Sequence, residues 1–236
     1  MSKTENYYLI TGSSSGLGEV LSKQLKKSGF NTLGIDKTEG IHTDIKIDLS
    51  RISSENLLEI KNSLNGKKID SIVHCAAVQK NSSNDIDDIS ATFDEVFSVN
   101  VKSIYLLVKT LENEFGDFSK LCLVSSVHAK ATTESNTLYA SSKSAIQGLV
   151  KGLTIEKNEK MSIFELILGA MDSPMLTDNL DKKEIQNLIN ELPSKKILEP
   201  VEIANFIIDL LNQHAKILHG SSITVDNGVL SKLPTK

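Results

Sequence analysis

The 236-residue sequence predicts one α/β domain with a doubly wound parallel sheet that helices cover on both faces. Short runs that are apolar throughout alternate with longer amphipathic stretches along the whole chain. Strands without polar alternation are typical of a parallel sheet that is buried on both sides. The length suits a single α/β domain. We therefore expect one dinucleotide-binding domain over residues 1–236, with its ligands at the carboxyl ends of the strands.

The predicted elements follow one another in a regular order. The strand-like runs are Tyr7–Thr11, Thr32–Asp36, Ile45–Leu49, Ser71–Ala76, Leu121–Ser125, Ile163–Leu168 and Ser222–Val225. Apolar residues at helical spacing predict helices over Leu17–Ser28, Ser53–Leu64, Ala91–Phe115, Tyr139–Lys157 and Pro200–Gln213. Two segments break the alternation, the polar stretch 127–138 and the stretch 172–200 with its three prolines. Because the second follows a strand end, it predicts a substrate lid over residues 172–200.

Composition excludes several classes of partner. The net charge of −4 and the pI near 5.8 argue against a nucleic-acid ligand, which requires a basic face. No run reaches the roughly 18 apolar residues that cross a bilayer, and the polar start of the chain does not resemble a signal peptide. The two cysteines and five histidines lack metal-ligand spacing. We expect a cytoplasmic protein without a metal or a membrane partner.

A glycine-rich turn follows the first strand. It reads Thr11-Gly12-Ser13-Ser14-Ser15-Gly16-Leu17-Gly18 and leads directly into an amphipathic helix. Glycines permit the tight turn and a close backbone approach, and a helix N-terminus offers free N–H groups to a pyrophosphate. Such a turn alone is also typical of a flexible loop. With a strand before it and a helix after it, Gly12, Ser14, Ser15, Gly16, Leu17 and Gly18 are candidate cofactor-binding residues.

The second strand ends at Asp36, 20 residues after Gly16. A carboxylate there accepts hydrogen bonds from the ribose hydroxyls of adenosine and repels a 2′-phosphate. This predicts NAD as the cofactor and makes NADP the less favoured alternative, although the adjacent Lys37 softens the discrimination. The competing interpretation is that Asp36 is a solvated turn residue.

Tyr139 and Lys143 are four residues apart at the start of a predicted helix, so they share one helix face. A nearby ammonium favours the phenolate form of a tyrosine, which could then exchange a proton with an alcohol or carbonyl oxygen. Ser126 lies 13 residues before Tyr139, at a strand end where its hydroxyl can hold the same oxygen. Taken alone, a tyrosine and a lysine at this spacing also occur by chance on solvated helices.

Taken together, these residues follow one order and spacing, and the chain resembles the short-chain dehydrogenases/reductases over nearly its whole length. The resemblance implies a Rossmann-type, seven-stranded parallel sheet, NAD(P) binding and a Ser126–Tyr139–Lys143 mechanism. It also implies that Asn100 supports a proton relay to Lys143. The further cofactor-binding candidates that it implies are Asp48 and Leu49 at the adenine ring, together with Ala76, Ala77, Tyr139, Lys143, Gly169, Met171 and Ser173.

The chain departs from the family pattern in two places. After the fourth strand stand His74, Cys75, Ala76 and Ala77, where the family usually has Asn-Asn-Ala-Gly. After the sixth strand, Leu168 replaces a proline and Ser173 replaces a threonine, which keeps the hydroxyl. A weaker likeness points to the bacterial hydroxysteroid dehydrogenase/carbonyl reductase branch. Family members use their helices at 91–115 and 139–153 for subunit contacts, so a homodimer or homotetramer is expected.

The function that these residues predict is reversible hydride transfer between NAD(H) and a small secondary alcohol or carbonyl compound, with Tyr139 as the acid/base. The alternative is a dinucleotide-binding sensor or scaffold without turnover, which the altered loop after the fourth strand motivates. A flavin or nucleotide-sugar enzyme is disfavoured because the chain has no large C-terminal substrate region. We expect His128 to be a surface loop histidine and His74 to be a packed, hydrogen-bonded one.

Overall fold

A computed structural model describes residues 5–232 and contains one seven-stranded sheet. All neighbouring strands pair in parallel, in the order β3-β2-β1-β4-β5-β6-β7. The strands are β1 (Tyr7–Thr11), β2 (Asn31–Asp36), β3 (Ile45–Lys46), β4 (Ile69–His74), β5 (Phe115–Ser126), β6 (Met161–Leu168) and β7 (Ser222–Val225). The predicted fold class is confirmed. The order reverses at β1 and β4, which is where a doubly wound sheet opens its ligand crevice.

Helices cover both faces of the sheet. They are α1 (Gly16–Lys27), α2 (Ser54–Ser63), α3 (Ile86–Phe97), α4 (Ser103–Thr110), α5 (Thr137–Lys157), α6 (Pro174–Asn179), α7 (Lys182–Glu191) and α8 (Pro200–Asp209). One apolar core joins the sheet to α4 and α5, and the other joins it to α1 and α8. Because alternate strand residues point to opposite faces, β6 supplies Ile163 to the first core and Phe164 to the second.

The helix predicted over Ala91–Phe115 is wrong at both ends. It begins earlier, at Ile86, because the Asp85 side chain accepts hydrogen bonds from the amides of Asp87 and Asp88 and so caps the first turn. A π-helical turn over Ser98–Lys102 then divides it into α3 and α4. Phe115, predicted to be its last residue, is the first residue of β5.

The bounds of five strands also differ from the prediction, although the second and sixth strands merely begin one and two residues earlier. The third strand ends at Lys46, because Asp48 accepts a hydrogen bond from the Ser50 amide and starts a short 3₁₀ turn instead. The fourth strand runs over Ile69–His74, so Cys75 and Ala76 follow its end. The fifth strand is longer than expected and covers twelve residues. None of these shifts moves a candidate site residue away from the carboxyl edge of the sheet.

The segment proposed as a lid contains two short helices, α6 and α7. Pro174 occupies the first turn of α6, where its missing N–H costs no helical hydrogen bond. A reciprocal cap between Asp181 and Glu184 begins α7. Within the part of the chain that the structure describes, no helix is both long and apolar enough to span a membrane. The same residues contain no cluster of metal-ligating side chains.

Candidate active site

A cleft of about 860 Å³ opens at the carboxyl edge of the sheet. Every predicted site residue except Asn100 contributes to its lining. They are Gly12, Ser14, Ser15, Gly16, Leu17, Gly18, Asp36, Asp48, Leu49, Ala76, Ala77, Ser126, Tyr139, Lys143, Gly169, Met171 and Ser173. Residues that are far apart in the sequence thus meet in one concave surface, as the parallel topology requires.

The glycine turn is held too tightly for side chains at two positions. Gly12 has a φ of +71°, and a Cβ there would come within 2.8 Å of the Ala76 amide nitrogen. A Cβ on Gly18 would lie 2.1 Å from the Gly12 carbonyl oxygen. By contrast, a Cβ on Gly16 would meet only Pro174 and Ser173, at 3.8 Å. The open side of the turn therefore faces the cleft, in front of the N-terminus of α1, where the free amides suit a pyrophosphate.

Asp36 lies beside this turn at the end of β2. Its two carboxylate oxygens accept hydrogen bonds from the backbone amides of Ser14, at 3.1 Å, and Thr38, at 2.9 Å. These bonds fix the orientation of the carboxylate and leave lone pairs free for further donors. Asp48, on the same side of the cleft, accepts two hydrogen bonds from Ser50. Both residues line the cleft, and Asp48 is exposed to solvent there.

The phenol of Tyr139 is buried, with an exposed fraction of 7%. Burial raises its pKa to about 12, and a hydrogen bond with the Ser126 side chain opposes that rise. Ser126 ends β5, and its oxygen also accepts a hydrogen bond from the His128 amide at 3.2 Å. At neutral pH the tyrosine consequently carries its proton, and the Ser126 hydroxyl lies beside it.

Lys143 projects from the next turn of α5 and is buried, with 2% of its surface exposed. Its Nζ donates a hydrogen bond to the Val124 carbonyl at 2.8 Å and lies 5.6 Å from the centre of the Tyr139 ring. Burial lowers the pKa of Lys143 to about 8, while Cys75 and Glu165 act in the opposite direction. The ammonium form is therefore still the main one at neutral pH, within reach of the phenol.

Asn100 lies outside the cleft lining, inside the π-helical turn between α3 and α4. Its side chain binds both backbone groups of Val78, at 2.7 and 2.9 Å, and donates to Ser142 at 2.9 Å. Ser142 in turn donates to the Tyr139 carbonyl at 2.7 Å. Asn100 thus joins the loop after β4 to the first turn of α5, and an extra residue in the helix aims it there.

The departure from the family pattern after β4 has a structural counterpart. His74 is buried, and its Nδ1 lies 2.9 Å from the Thr11 hydroxyl, which also accepts a hydrogen bond from the Ala76 amide. The Thr11 hydroxyl has a second lone pair, so the tautomer of His74 decides which of the two groups donates in this hydrogen bond. Burial lowers the pKa of His74 to about 3, and the charge of Lys143 acts in the same direction. His74 ties the loop after β4 to the end of β1.

The outer half of the cleft has one polar wall and one apolar wall. One wall is polar, since the Gln79 side chain donates to Asn136 at 2.7 Å. His128 is half-buried rather than a surface residue, and its ring meets the Tyr139 ring edge-on at 5.7 Å. The opposite wall consists of apolar lid side chains, among them Met175, Leu176, Leu188 and Leu192. In the sequence, this wall was indicated only by apolar residues at helical spacing in the proline-containing segment 172–200.

Known proteins are similar to this chain over nearly its whole length. Residues 12–230 match the family model described as Enoyl-(Acyl carrier protein) reductase. The 3-oxoacyl-(acyl-carrier-protein) reductase FabG of Buchnera aphidicola is 24% identical to this chain, and the match covers 93% of this chain and 95% of that protein. The chain belongs to the short-chain dehydrogenase/reductase family.

Solved structures show the same fold. Aldohexose dehydrogenase from Thermoplasma acidophilum aligns with a TM-score of 0.87 at 20% identity, over 98% of this chain and 96% of that one. 4-Hydroxyisoleucine dehydrogenase, solved with NADH, aligns with a TM-score of 0.83 at 19% identity, over 97% of this chain and 100% of that one. The protein is accordingly an oxidoreductase that uses a nicotinamide dinucleotide.

Proposed function

We propose that the protein catalyses reversible hydride transfer between NAD(H) and a secondary alcohol or carbonyl compound, with Tyr139 as the acid/base. One observation carries this proposal: a buried phenol, a serine hydroxyl and a buried ammonium line the same cleft as a glycine turn shaped for a pyrophosphate. Such a constellation combines binding of the dinucleotide with proton transfer at the substrate oxygen.

The residues present fit a nicotinamide dinucleotide. Gly12, Gly16 and the N-terminus of α1 suit the pyrophosphate, Asp36 suits the adenosine ribose, and Ala76 and Gly169 leave room along the cleft. A bound dinucleotide supplies the hydride acceptor or donor for the substrate carbon. The Asp36 carboxylate would repel a 2′-phosphate, which supports NAD over NADP.

Each catalytic residue has a separate task in the proposal. Tyr139 carries its proton at neutral pH, so it can donate that proton to a carbonyl oxygen during reduction. The ammonium of Lys143 stabilises the phenolate that remains, because opposite charges attract strongly in a buried site. Ser126 donates a hydrogen bond to the same substrate oxygen and holds it near Tyr139. In the oxidation direction the same groups act in reverse.

Asn100 has an indirect task in this scheme. Because its side chain is fully engaged by Val78 and Ser142, it fixes the start of α5 and thereby the position of Tyr139. A relay role toward Lys143 is consistent with its burial close to that helix turn.

We also propose a domain organisation and an oligomeric state for the protein. We assign one dinucleotide-binding domain to the chain, of which the structure describes residues 5–232, and we assign the substrate lid to residues 172–200, since α6 and α7 supply the apolar wall of the cleft. A homodimer or homotetramer is supported by an exposed apolar stripe on α3 and α4, where Ile86, Phe93 and Tyr105 are 73%, 45% and 42% exposed. Sedimentation equilibrium checks this last point.

The Tyr139→Phe variant tests the central proposal. It removes only the hydroxyl, so we expect NADH binding to persist while turnover falls by about 10²- to 10⁴-fold. Fluorescence titration of NADH and absorbance assays over a panel of carbonyl compounds measure the two effects. Tyr7→Phe, a change at a partly exposed residue at the amino end of β1 and away from the cleft, is the matched control and should leave both unchanged. Near-normal turnover in Tyr139→Phe would contradict the mechanism, and NADH binding without turnover of any substrate by the wild type would favour the sensor alternative.

A further inference from the structure

Glu165 is an acidic residue in β6, a strand whose eight residues are all buried. Its side chain is 1% exposed, and it lies on the same sheet face as Ile163, in the core covered by α5. One carboxylate oxygen accepts a hydrogen bond from Ser222 at 2.5 Å. The other has no hydrogen-bond partner among the described residues. A buried carboxylate with so little compensation is costly unless a cation lies nearby.

The sheet register places Glu165 in a row beneath the catalytic residues. Thr11, His74, Leu123, Glu165 and Ser222 are side by side on consecutive strands, and in-register neighbours point to the same face. Leu123 is the central residue of this row, and Val124 follows it in the chain. The Nζ of Lys143 donates a hydrogen bond to the Val124 carbonyl. Lys143 therefore ends directly above the row, with His74 on one side of Leu123 and Glu165 on the other.

Few charged groups face this part of the sheet. The titratable side chains of α5 that are not exposed are Tyr139, Lys143 and Lys157. His74 and Cys75 lie at the end of β4, and His219 lies before β7. Lys157 pairs with Glu112 at 2.7 Å. The Nδ1 of His219 accepts a hydrogen bond from the Ile163 amide at 3.2 Å.

The remaining neighbours of Lys143 are also uncharged. Burial raises the pKa of Cys75 to about 12, and the side chain is a thiol at neutral pH. His74 is neutral for the reason given above. Of the groups named, only the Glu165 carboxylate can supply negative charge to Lys143, and only Lys143 can supply positive charge to Glu165.

We infer that Glu165 is the buried counter-charge of Lys143 and acts as a positioning residue that keeps the lysine in its ammonium form beside Tyr139. This role rests on the function proposed above. Burial lowers the pKa of Lys143, and of the two groups that oppose this decrease, Cys75 is a thiol at neutral pH, which leaves the carboxylate of Glu165. Without it, Lys143 loses its proton at a lower pH, and the phenolate left by proton donation is less stable.

The pH profile of carbonyl reduction by the Glu165→Gln variant tests the inference. Glutamine preserves the volume and can still accept the Ser222 hydrogen bond, so the change removes mainly charge. The pH at which kcat falls on the alkaline side should move down by about 1 unit, because Lys143 loses its proton at a lower pH when a nearby anion is removed. An alkaline limb at the wild-type pH would overturn the inference.

Ser222→Ala is the matched control. It removes the hydrogen bond to Glu165 but keeps the carboxylate, so it should lower the melting temperature without moving the pH profile. If Ser222→Ala moved the alkaline limb as far as Glu165→Gln does, the effect would be structural, and a counter-charge role would be wrong.

A double-mutant cycle tests the pair without any assay of turnover. Lys143→Met leaves the Glu165 carboxylate uncompensated, so adding Glu165→Gln in that background should raise the midpoint of urea unfolding. In the wild-type background the same substitution should not raise it. Equal effects in the two backgrounds would refute the pairing. Because this cycle needs no substrate, its outcome is independent of whether Tyr139→Phe upholds the proposed function.

Discussion

The two walls of the cleft are built in different ways. The cofactor wall consists of strand ends and one helix N-terminus, where backbone atoms approach so closely that Gly18 has no room for a methyl group. The lid wall consists of α6 and α7, in which no residue is fully buried. The first wall depends on backbone geometry and the second on side-chain contacts. Substrate preference can therefore change in the lid while the positions of Tyr139 and Lys143, on the rigid α5, stay fixed.

Of the substitutions in the two walls, Gly18→Ala should have the largest effect on stability and on NADH affinity. The new Cβ would lie 2.1 Å from the Gly12 carbonyl oxygen, so α1 must move away from the turn. We expect a loss of about 3 kcal/mol in the free energy of unfolding and a loss of at least about tenfold in NADH affinity. Urea denaturation and NADH titration measure the two effects.

Gly148→Ala is the control for that experiment. A Cβ on Gly148 meets nothing within 4 Å, and the residue lies within α5. Alanine is the better helix former, so this variant should be up to about 1 kcal/mol more stable than the wild type. If both alanine variants behaved alike, close approach at the turn would not be what shapes the cofactor wall.

A smaller effect is expected from Asp36→Asn. Asparagine can still accept the Ser14 amide proton, but it no longer repels a 2′-phosphate. The ratio of kcat/KM for NADH to that for NADPH should fall by at least about tenfold. Glu39→Gln removes a charge from the same loop, at a residue that binds Lys46 instead of lining the cleft, and should leave the ratio unchanged. An unchanged ratio in Asp36→Asn would show that Asp36 does not select the cofactor.

The smallest effect is expected in the lid. Asp181→Ala removes the cap of α7, which accepts hydrogen bonds from the amides of Lys183 and Glu184 at 2.8 Å. Loss of a cap destabilises a helix by about 1 kcal/mol, so KM should rise a few-fold with little change in kcat. Ser53→Ala removes the corresponding cap of α2, which lies outside the cleft lining, and should affect stability alone. Equal kinetics in the two variants would indicate that α7 does not contact substrate.

The sequence predicted the cofactor wall better than the lid wall for a physical reason. Gly12, Asp36, Ser126 and Tyr139 lie at strand or helix ends, and the parallel topology brings such ends to one edge. Their spacing along the chain was therefore sufficient to place them together. No comparable rule predicts where the lid residues lie, because their contacts depend on how two short helices pack.

The sequence also did not predict the features that depend on the register between strands. The row that contains His74 and Glu165 exists because four strand pairs align, and no local pattern specifies that alignment. The π-helical turn that aims Asn100 is another example, since the residues around it read as one continuous helix. Glu165 did leave one sequence signal, a single acidic residue within an otherwise apolar strand.

Direct titration of the Tyr139 phenol tests whether this side chain is a buried, protonated acid beside the nicotinamide site. The ultraviolet phenolate absorbance of the wild type minus that of Tyr139→Phe isolates this residue from the other three tyrosines. We expect a midpoint near pH 12 for the free protein, and a lower midpoint when NAD with its positively charged nicotinamide is added. A midpoint near the usual tyrosine pKa of about 10, unmoved by NAD, would contradict it.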